Sequence, residues 1–346
     1  MQSQLIKGGK SIVVISAGAV GSLFGGIIQG GSSKLLPNKV ETVLNCDYKD
    51  HYDTIKHDGL RLTPINEDTQ KLWKVITNQS SYQMKNGSYY LNMNIYNSEE
   101  LKKFRNHFDY AIIIQKSYQT NDAAKLAQEI LKDDGVSITF QNGMGNVETL
   151  QSVLGKERVM QGSLSHNAFL KEPGHVIHGG SGYIMISPIQ DSLVSKAEWL
   201  CSLFKTIGLE CNIMTSGVDG ILWSKLLVNA CINSLTALYE CKTGGLLNEY
   251  GLHMVKNIVN EGLAVCDALH VTLPEGDAYE RVVEVIRKTQ GSYSSMCSDM
   301  MRKRPTEIDA ICGYITKKGK EVGVQTPINE MLTDLIHNKE HLYERK

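Results

Sequence analysis

The sequence predicts an α/β protein of two domains, a strand-and-helix half over residues 1–215 and an all-α half over 216–346. Three observations carry this. Short β-branched runs at 11–15, 110–114 and 136–140 alternate with helical stretches in the first half, the pattern of buried parallel strands with crossover helices. The first of these runs enters a glycine-containing turn followed by a small-residue helix. After Ser216 every stretch is helical in pattern, so strand signals stop there.

A hydrophobic content of 42% with 21% charged residues over 346 positions is enough for two sizeable cores and excludes a disordered chain. The formal net charge of −1, with both signs interspersed, gives no basic stripe for nucleic acid and points to small molecules as partners. Eight cysteines, at 46, 201, 211, 231, 241, 266, 297 and 312, form no CxxC pair, and several lie in apolar runs. That suits reduced thiols in a cytoplasmic protein rather than a disulfide framework or a metal site. Lys7 and Lys10 followed by the charge-free run 11–28 imitate a signal peptide, but Gly18, Gly21, Gly25 and Gly26 interrupt it. No other run approaches the ~20 apolar residues of a membrane span, so no membrane partner is expected.

Taken in order, the strand at 11–15 leads into Ser16-Ala17-Gly18-Ala19-Val20-Gly21-Ser22 and a helix to about Gln29. Strand, glycine turn and helix are the parts of a Rossmann-type dinucleotide site, where the backbone approaches a pyrophosphate at the helix N-terminus. Ser16, Ala17, Gly18, Ala19, Val20 and Gly21 are therefore the cofactor-binding candidates. Ser16 stands where GxGxxG has its first glycine, and a plain strand-to-helix turn is the alternative reading. A loop rich in Gly, Ser, Lys and Pro precedes a second strand at 40–44. Asn45, Cys46, Asp47, Tyr48 and Lys49 at its end offer both charge signs, so NADP and NAD are not distinguished there.

Residues 66–107 read as polar and irregular, with weak strand signals at 74–77 and 89–95. Lys116 lies just past the strand at 110–114, where open α/β sheets bind ligands, although a surface lysine is the alternative. A helix at 123–131 and a strand at 136–140 follow. Gln141-Asn142-Gly143-Met144-Gly145-Asn146 reads as a tight turn with positive φ, with Asn146 capping the next helix and Asn142 free for a second role. Residues 175–178 and 183–187 flank Gly179-Gly180-Ser181-Gly182 as a hairpin. A helix at 192–206 and a last strand at 210–214 complete the first half.

In the all-α half, the helix at 222–238 is apolar almost all round except for Lys225, Asn229 and Asn233, spaced four apart and so on one face. An unpartnered buried ammonium costs several kcal/mol, so the stripe either lines a wet cleft or meets a ligand. The alternative is a Lys225 that snorkels outward and asparagines that bond neighbouring backbone. Ser294 and Ser295 begin a capped helix that contains Asp299, and Glu307 opens another, where the helix dipole alone would favour it. These clusters gain meaning only if they converge on Lys225.

Three stretches together resemble the ketopantoate reductase (2-dehydropantoate 2-reductase) family: Phe140 through Asn146; Trp223-Ser224-Lys225 through Asn229, Asn233 and Thr236-Ala237; and Ser294-Ser295-Met296 with Asp299 and Thr306-Glu307-Ile308-Asp309. The resemblance runs in order from about Ser11 to Leu335. It implies an N-terminal Rossmann domain and a C-terminal helical domain of the 6-phosphogluconate dehydrogenase-like type. It implies that Lys225 is the catalytic lysine and Glu307 its partner, that Asn142, Asn229, Asn233 and Ser295 hold the substrate, and that Lys116 and Asn142 lie beside the cofactor. The activity implied is hydride transfer from NADPH to the C2 carbonyl of 2-dehydropantoate, with Lys225 as general acid. NAD(H) is not excluded, because Ser16 and the missing basic residue after the second strand depart from the family pattern. The rival readings are a D-2-hydroxyacid dehydrogenase acting on another branched 2-oxo acid and a non-catalytic nucleotide-binding protein on the same fold. Oligomeric state is not legible in the sequence, and the family admits a homodimer.

Overall fold

The structure, a computed structural model, describes residues 9–35, 40–77 and 82–344. The chain divides into two compact units. One comprises the residues up to Gln115 with Gln119–Gln141 and Val147–Thr215; the other comprises Lys116–Tyr118, Asn142–Asn146 and everything from Ser216 onward.

Among the described residues the first unit holds thirteen strands: β1 (Lys10–Ile15), β2 (Val40–Asn45), β3 (Leu60–Pro64), β4 (Gln83–Lys85), β5 (Ser88–Leu91), β6 (Ile95–Tyr96), β7 (Phe108–Ile113), β8 (Leu131–Thr139), β9 (Val159–Leu164), β10 (Asn167–Glu172), β11 (His175–Gly180), β12 (Ile184–Ser187) and β13 (Cys211–Ile213). Its helices are α1 (Ala19–Leu35), α2 (Lys49–Asp58), α3 (Glu67–Thr77), α4 (Ser98–Leu101), α5 (Thr120–Ile130), α6 (Asn146–Leu154, whose first residue groups with the other unit) and α7 (Val194–Thr206). The main sheet runs β13-β12-β9-β8-β7-β1-β2-β6. β1 pairs in parallel with both β2 and β7, so the strand order reverses beside β1, the switch point where such sheets bind ligands.

Alternation along β1 explains why it is apolar throughout. Ile12 and Val14 enter the core that also holds Phe24, Ile27 and Phe204 of α1 and α7, whereas Val13 and Ile15 enter a second core with Ala123, Ala127 and Leu150 of α5 and α6. Tyr110 and Ile112 of β7 face the first core and Ala111 and Ile113 the second. A strand covered on both faces has no solvent side for polar residues.

The structure corrects several expectations. Residues 74–77 are not a strand but the end of α3, whose buried positions Thr69, Trp73 and Ile76 have helical spacing. The hairpin expected across Gly179–Gly182 does not form: β11 pairs with β10 and β3 in a five-stranded sheet, whereas β12 pairs with β9 and β13 in the main sheet. The glycine-rich stretch is a passage between sheets, and the real hairpin joins β10 to β11. α1 runs to Leu35 rather than stopping near Gln29, because Gly30 and Gly31 permit close packing; a Cβ on Gly30 would lie 2.2 Å from Tyr82 Cζ. Lys7 lies outside the described residues.

The second unit is built around α8 (Val218–Tyr239), against which α9 (Glu249–Ala268), α10 (Ala278–Lys288), α11 (Ser295–Met301) and α13 (Pro327–Glu344) pack; α12 (Cys312–Val322) packs on α9 and α13. Trp223, Leu226, Leu227, Ala230, Cys231 and Leu235 of α8 form the middle of its core. The Lys339 ammonium donates to the terminal carbonyls of Ala237 and Leu238 at 3.0 and 2.9 Å, satisfying the end of the helix. Contrary to the expectation of no further long apolar run, α8 is long and apolar enough to cross a bilayer by length and composition. Most of it is buried inside its own unit, as a central core helix should be.

Candidate active site

In the first unit the turn after β1 has the form a dinucleotide requires. Gly21 tolerates no side chain, since a Cβ there would sit 1.8 Å from the Ser16 carbonyl oxygen. This is the close helix-to-strand packing that the last fingerprint glycine serves. Gly18 is exposed, and a Cβ there would make only a 3.6 Å contact with Ser16 Oγ, so protein packing does not explain its lack of a side chain. The bare backbone there leaves room for a diphosphate to approach. Ser16 itself has φ +97°, a conformation that side-chain-bearing residues avoid, and its Oγ accepts a hydrogen bond from Gly18 N at 3.2 Å. The residues therefore fit a dinucleotide, with Ser16 strained and engaging one of the donors of the turn.

Relief of that strain is testable. A residue held in such a region costs roughly 1–3 kcal/mol, offset by the added freedom of glycine in the unfolded chain, roughly 0.4–1 kcal/mol. Ser16→Gly is expected to raise stability by about 1 kcal/mol. A thermal melt by circular dichroism checks this, and a melting temperature below that of the parent would count against the strain.

At the end of β2, Asn45 is buried with its side-chain amide 3.2 Å from Ser98 Oγ. Asp47 accepts from Ser98 N at 2.7 Å and Ser98 Oγ at 2.6 Å. Cys46 is buried and its thiol pushed up to about 12 by burial, so it is not a reactive thiolate. A carboxylate, not a guanidinium or ammonium, thus anchors the chain at this strand end, with exposed Lys49 opening α2.

The second unit brings together the charged groups that the sequence left scattered. Lys225 is half-buried on α8, with Asn229 and Asn233 one and two turns on along the same face. Burial pushes the Lys225 ammonium down to about 8, against the opposing charge of Glu307. Glu307 is itself only 5% exposed. It does not sit in an α-helical first turn as expected: with φ −101° and ψ 26° it precedes a 3₁₀ turn (Ile308–Ala310), and its carboxylate looks to other partners than a helix dipole. Its Oε1 accepts from Ser117 N at 3.1 Å and its Oε2 from Lys116 Nζ at 3.2 Å.

Lys116 donates at 2.5 Å to Asp299 Oδ2 as well. Burial would lower its pKa, but the charges of Glu307 and Asp299 outweigh that and raise it, so this lysine stays an ammonium. Asp299 was missed as a site residue. Its signal was a lone acid among Met296, Cys297 and Met300, all of which are buried, in a seven-residue helix.

Ser294, not Ser295, caps α11, accepting from Cys297 N at 3.0 Å, and it meets Thr236 Oγ1 of α8 at 2.7 Å. Ser295 is left exposed at the first position of α11, where a ligand can reach it. Asn142 is half-buried and opens the short segment that joins this unit. That segment is tied down by Met144 N donating to Ala310 O at 2.8 Å, and Gly143, at φ +75°, passes so close that a Cβ would lie 2.5 Å from the same oxygen. Among the described residues no group of histidine, cysteine and acidic side chains is placed to hold a metal ion. What the unit presents is two ammoniums, two buried carboxylates, amides and a hydroxyl, a set suited to a small anionic, oxygen-rich substrate.

Comparison with known proteins gives the same direction. Residues 12–191 match the family described as Ketopantoate reductase PanE/ApbA, and residues 218–340 match its C-terminal counterpart. A 2-dehydropantoate 2-reductase of Pyrococcus horikoshii is 30% identical over 334 residues, covering 96% of this chain and 98% of that one. One from Halobacterium salinarum is 27% identical over 94% of this chain and 97% of its own length. Among solved structures, a PanE/ApbA family ketopantoate reductase from Ralstonia eutropha JMP134 superposes with a TM-score of 0.80 at 25% identity, covering 96% of this chain and 99% of that one. A D-mandelate dehydrogenase solved with NADH and anilino(oxo)acetate also superposes with a TM-score of 0.80 at 25% identity, covering 96% and 98%. The doubly wound sheet with its glycine turn, the helical unit centred on Lys225 and the two consecutive family matches leave one assignment, and the chain belongs to the ketopantoate reductase family of oxidoreductases.

Proposed function

We propose that this protein reduces 2-dehydropantoate to (R)-pantoate with NADPH, in the cytoplasm, as a step of pantothenate and coenzyme A biosynthesis. The observation that carries the reading is the Lys225 ammonium, brought down to about 8 by burial and kept charged by Glu307. An acid catalyst works best with a pKa near the working pH, able both to hold a proton and to give it up. The bound cofactor would supply hydride to the C2 carbonyl carbon. Residues Ser16 through Gly21 would hold its diphosphate.

Lys225 hydrogen-bonds the carbonyl oxygen and gives it a proton as charge develops there, in a site where a preorganised donor stabilises that charge better than water does. Glu307 keeps the ammonium oriented and accepts from the substrate hydroxyl. Asn142, Asn229, Asn233 and Ser295 satisfy the carboxylate and hydroxyl groups of the substrate, which fixes the carbonyl against Lys225.

The pH dependence follows with a definite sign. A lysine acting as ammonium is competent below its pKa, so kcat/KM for reduction is expected to be level below about pH 8 and to fall tenfold per unit above it. A profile level to pH 10 would remove Lys225 as the acid.

One observation favours a second reading. With Asp47 rather than a basic residue fixed at the end of β2, the strand end suits the ribose hydroxyls of NADH. Together with the similarity to a D-mandelate dehydrogenase solved with NADH, this supports an NADH-dependent D-2-hydroxyacid dehydrogenase acting on another branched 2-oxo acid. Measuring kcat/KM for 2-dehydropantoate and for branched 2-oxo acids, each with NADPH and with NADH, decides between them. Absence of turnover with every pair would leave a non-catalytic nucleotide-binding protein.

A further inference from the structure

We propose that Glu340, on the C-terminal helix α13, is a positioning residue: it holds the irregular segment that carries Glu307 and so fixes the Glu307 carboxylate in the site. The proposal rests on the reading of Glu307 as a working part of that site, and its own content is the brace that reaches it from α13.

Glu307 needs outside support because no regular helix carries it. It lies between α11, which ends at Met301, and α12, which begins at Cys312. Pro305, two residues before it, has no N–H to give. Glu307 itself, with a φ of −101° and a ψ of 26°, sits in the bridge region that neither helix nor strand uses. The support comes one residue earlier, where the backbone N–H of Thr306 donates to Glu340 Oε1 at 2.7 Å. Thr306 is buried, and its hydroxyl accepts from Ile308 N at 3.3 Å, so the chain is held on both sides of Glu307. A carboxylate that accepts from a part-buried backbone N–H makes one of the stronger hydrogen bonds a protein forms. Moving Thr306 moves Glu307, whose oxygens accept from Ser117 N at 3.1 Å and Lys116 Nζ at 3.2 Å. Bonds of that length do not survive a shift of ~1 Å.

The other end of the brace is rigid. Ile336 and Leu332, one and two turns before Glu340, are buried in the core of the unit. Lys339, the neighbour of Glu340, donates to the Ala237 and Leu238 carbonyls at the end of α8 at 3.0 and 2.9 Å. Helix α13 thus sets the Glu307 segment in register with α8, the helix of Lys225, Asn229 and Asn233. The second oxygen of Glu340 meets His337 Nδ1 at 3.2 Å, and His337 Nε2 meets Asp309 Oδ1 at 2.8 Å. The Asp309 side chain is 77% exposed, so its pairing with His337 is screened by solvent. The bond from Thr306 to Glu340 is therefore the stronger of the two holds.

The test uses the full chain and begins with a readout that does not need turnover. Hydrogen–deuterium exchange of the peptide spanning residues 303–311, followed by mass spectrometry, is expected to speed about tenfold in Glu340→Ala. With the 2-oxo acid and nicotinamide cofactor that the parent turns over fastest, kcat should fall about tenfold to a hundredfold. KM for the cofactor should stay at the parent value, because the diphosphate turn belongs to the other unit. Glu340→Gln keeps an oxygen that accepts from Thr306 N and should restore both the protection and kcat. Glu340→Asp, which draws the oxygens back by one methylene, should move both the same way as alanine, so the test holds if Glu340→Ala fails to fold. Added to Glu307→Gln, the change Glu340→Ala should cost nothing more in kcat, since a brace has no effect once the braced group is gone. Unchanged exchange in Glu340→Ala overturns the proposal without any assay of turnover. A full additive loss in the double variant also overturns it, because Glu340 would then act through something other than Glu307. If Glu307→Gln is slow and Glu340→Ala keeps the parent kcat, the brace falls and the reading of Glu307 stands. Full turnover in Glu307→Gln removes Glu307 from the reaction and the proposal with it.

Discussion

Replacement of Lys225 by alanine is expected to lower kcat for 2-oxo acid reduction by ~10²–10⁴-fold, the range associated with loss of a positioned acid catalyst. The argument starts from the helix. α8 is the core of its unit, and its neighbours fix Trp223, Leu226 and Leu227 on either side of Lys225, so the ammonium is delivered from a rigid element rather than a loop. Burial opposes its charge, and Glu307 restores part of it. Glu307 keeps the Lys116 ammonium as a partner at 3.2 Å when Lys225 is removed, so the variant is not left with an unpaired buried carboxylate. The loss should therefore be kinetic, with the melting temperature close to that of the parent. It should fall mainly on kcat, since charge on the carbonyl oxygen grows in the transition state and is small in the bound ketone. Steady-state kinetics on a variant verified as folded by circular dichroism check this. Nearly full turnover in Lys225→Ala would remove lysine from the chemistry, and a rise in KM alone would make it a binding group.

What the sequence made legible was what depends on local pattern. The β-branched run at 11–15, covered on both faces, could be read as a buried strand because no alternation interrupts it. The stripe of Lys225, Asn229 and Asn233 could be read because a four-residue spacing survives in any helix. Long-range pairing was not legible. Nothing local says that β11 joins β3 across more than a hundred residues, and Gly179-Gly180-Ser181-Gly182, at the end of β11, has the chemistry of a hairpin turn without being one. Within the site, Glu307 was noticed for a helix start it does not occupy. Asp299 went without a role because its partner, Lys116, lies 183 residues away. Ser16 looked like damage to a fingerprint, whereas with a φ of +97° it still makes a turn that glycine would make more easily.

Acidification is expected to destabilise the first unit well before its carboxylates protonate, because three histidines are buried in their neutral form. The hydrogen bonds fix this. His51 Nδ1 accepts from Gly174 N at 2.8 Å while its Nε2 faces Ser22 Oγ at 3.0 Å, and His178 Nδ1 accepts from Trp73 Nε1 at 2.9 Å. Each accepting nitrogen faces a committed N–H, so a second proton has nowhere to go without breaking that bond. His178 Nε2 then donates to Gly180 O at 3.0 Å, 3.3 Å from His166 Nδ1; adjacent rings of this kind cannot both charge cheaply. Burial brings all three down to about 4 from an ordinary value of 6.5.

The unfolded chain thus binds protons that the fold refuses, and stability present above pH 6.5 is lost as pH falls toward 4. Each histidine contributes roughly 3 kcal/mol across that window. Asp109, whose own burial is outweighed by Lys10, Lys132 and Ser11 so that it stands at about 2, loses its contribution only below the ordinary carboxylate value of 3.8. The two effects therefore separate on the pH axis. Urea midpoints measured at half-unit steps should drop steeply between pH 6.5 and 4.5, and His51→Gln should reduce the slope of that drop. A midpoint that stays level to pH 4.5 would mean that these rings accept protons in the folded state, which the Gly174 and Trp73 donors forbid as they are placed.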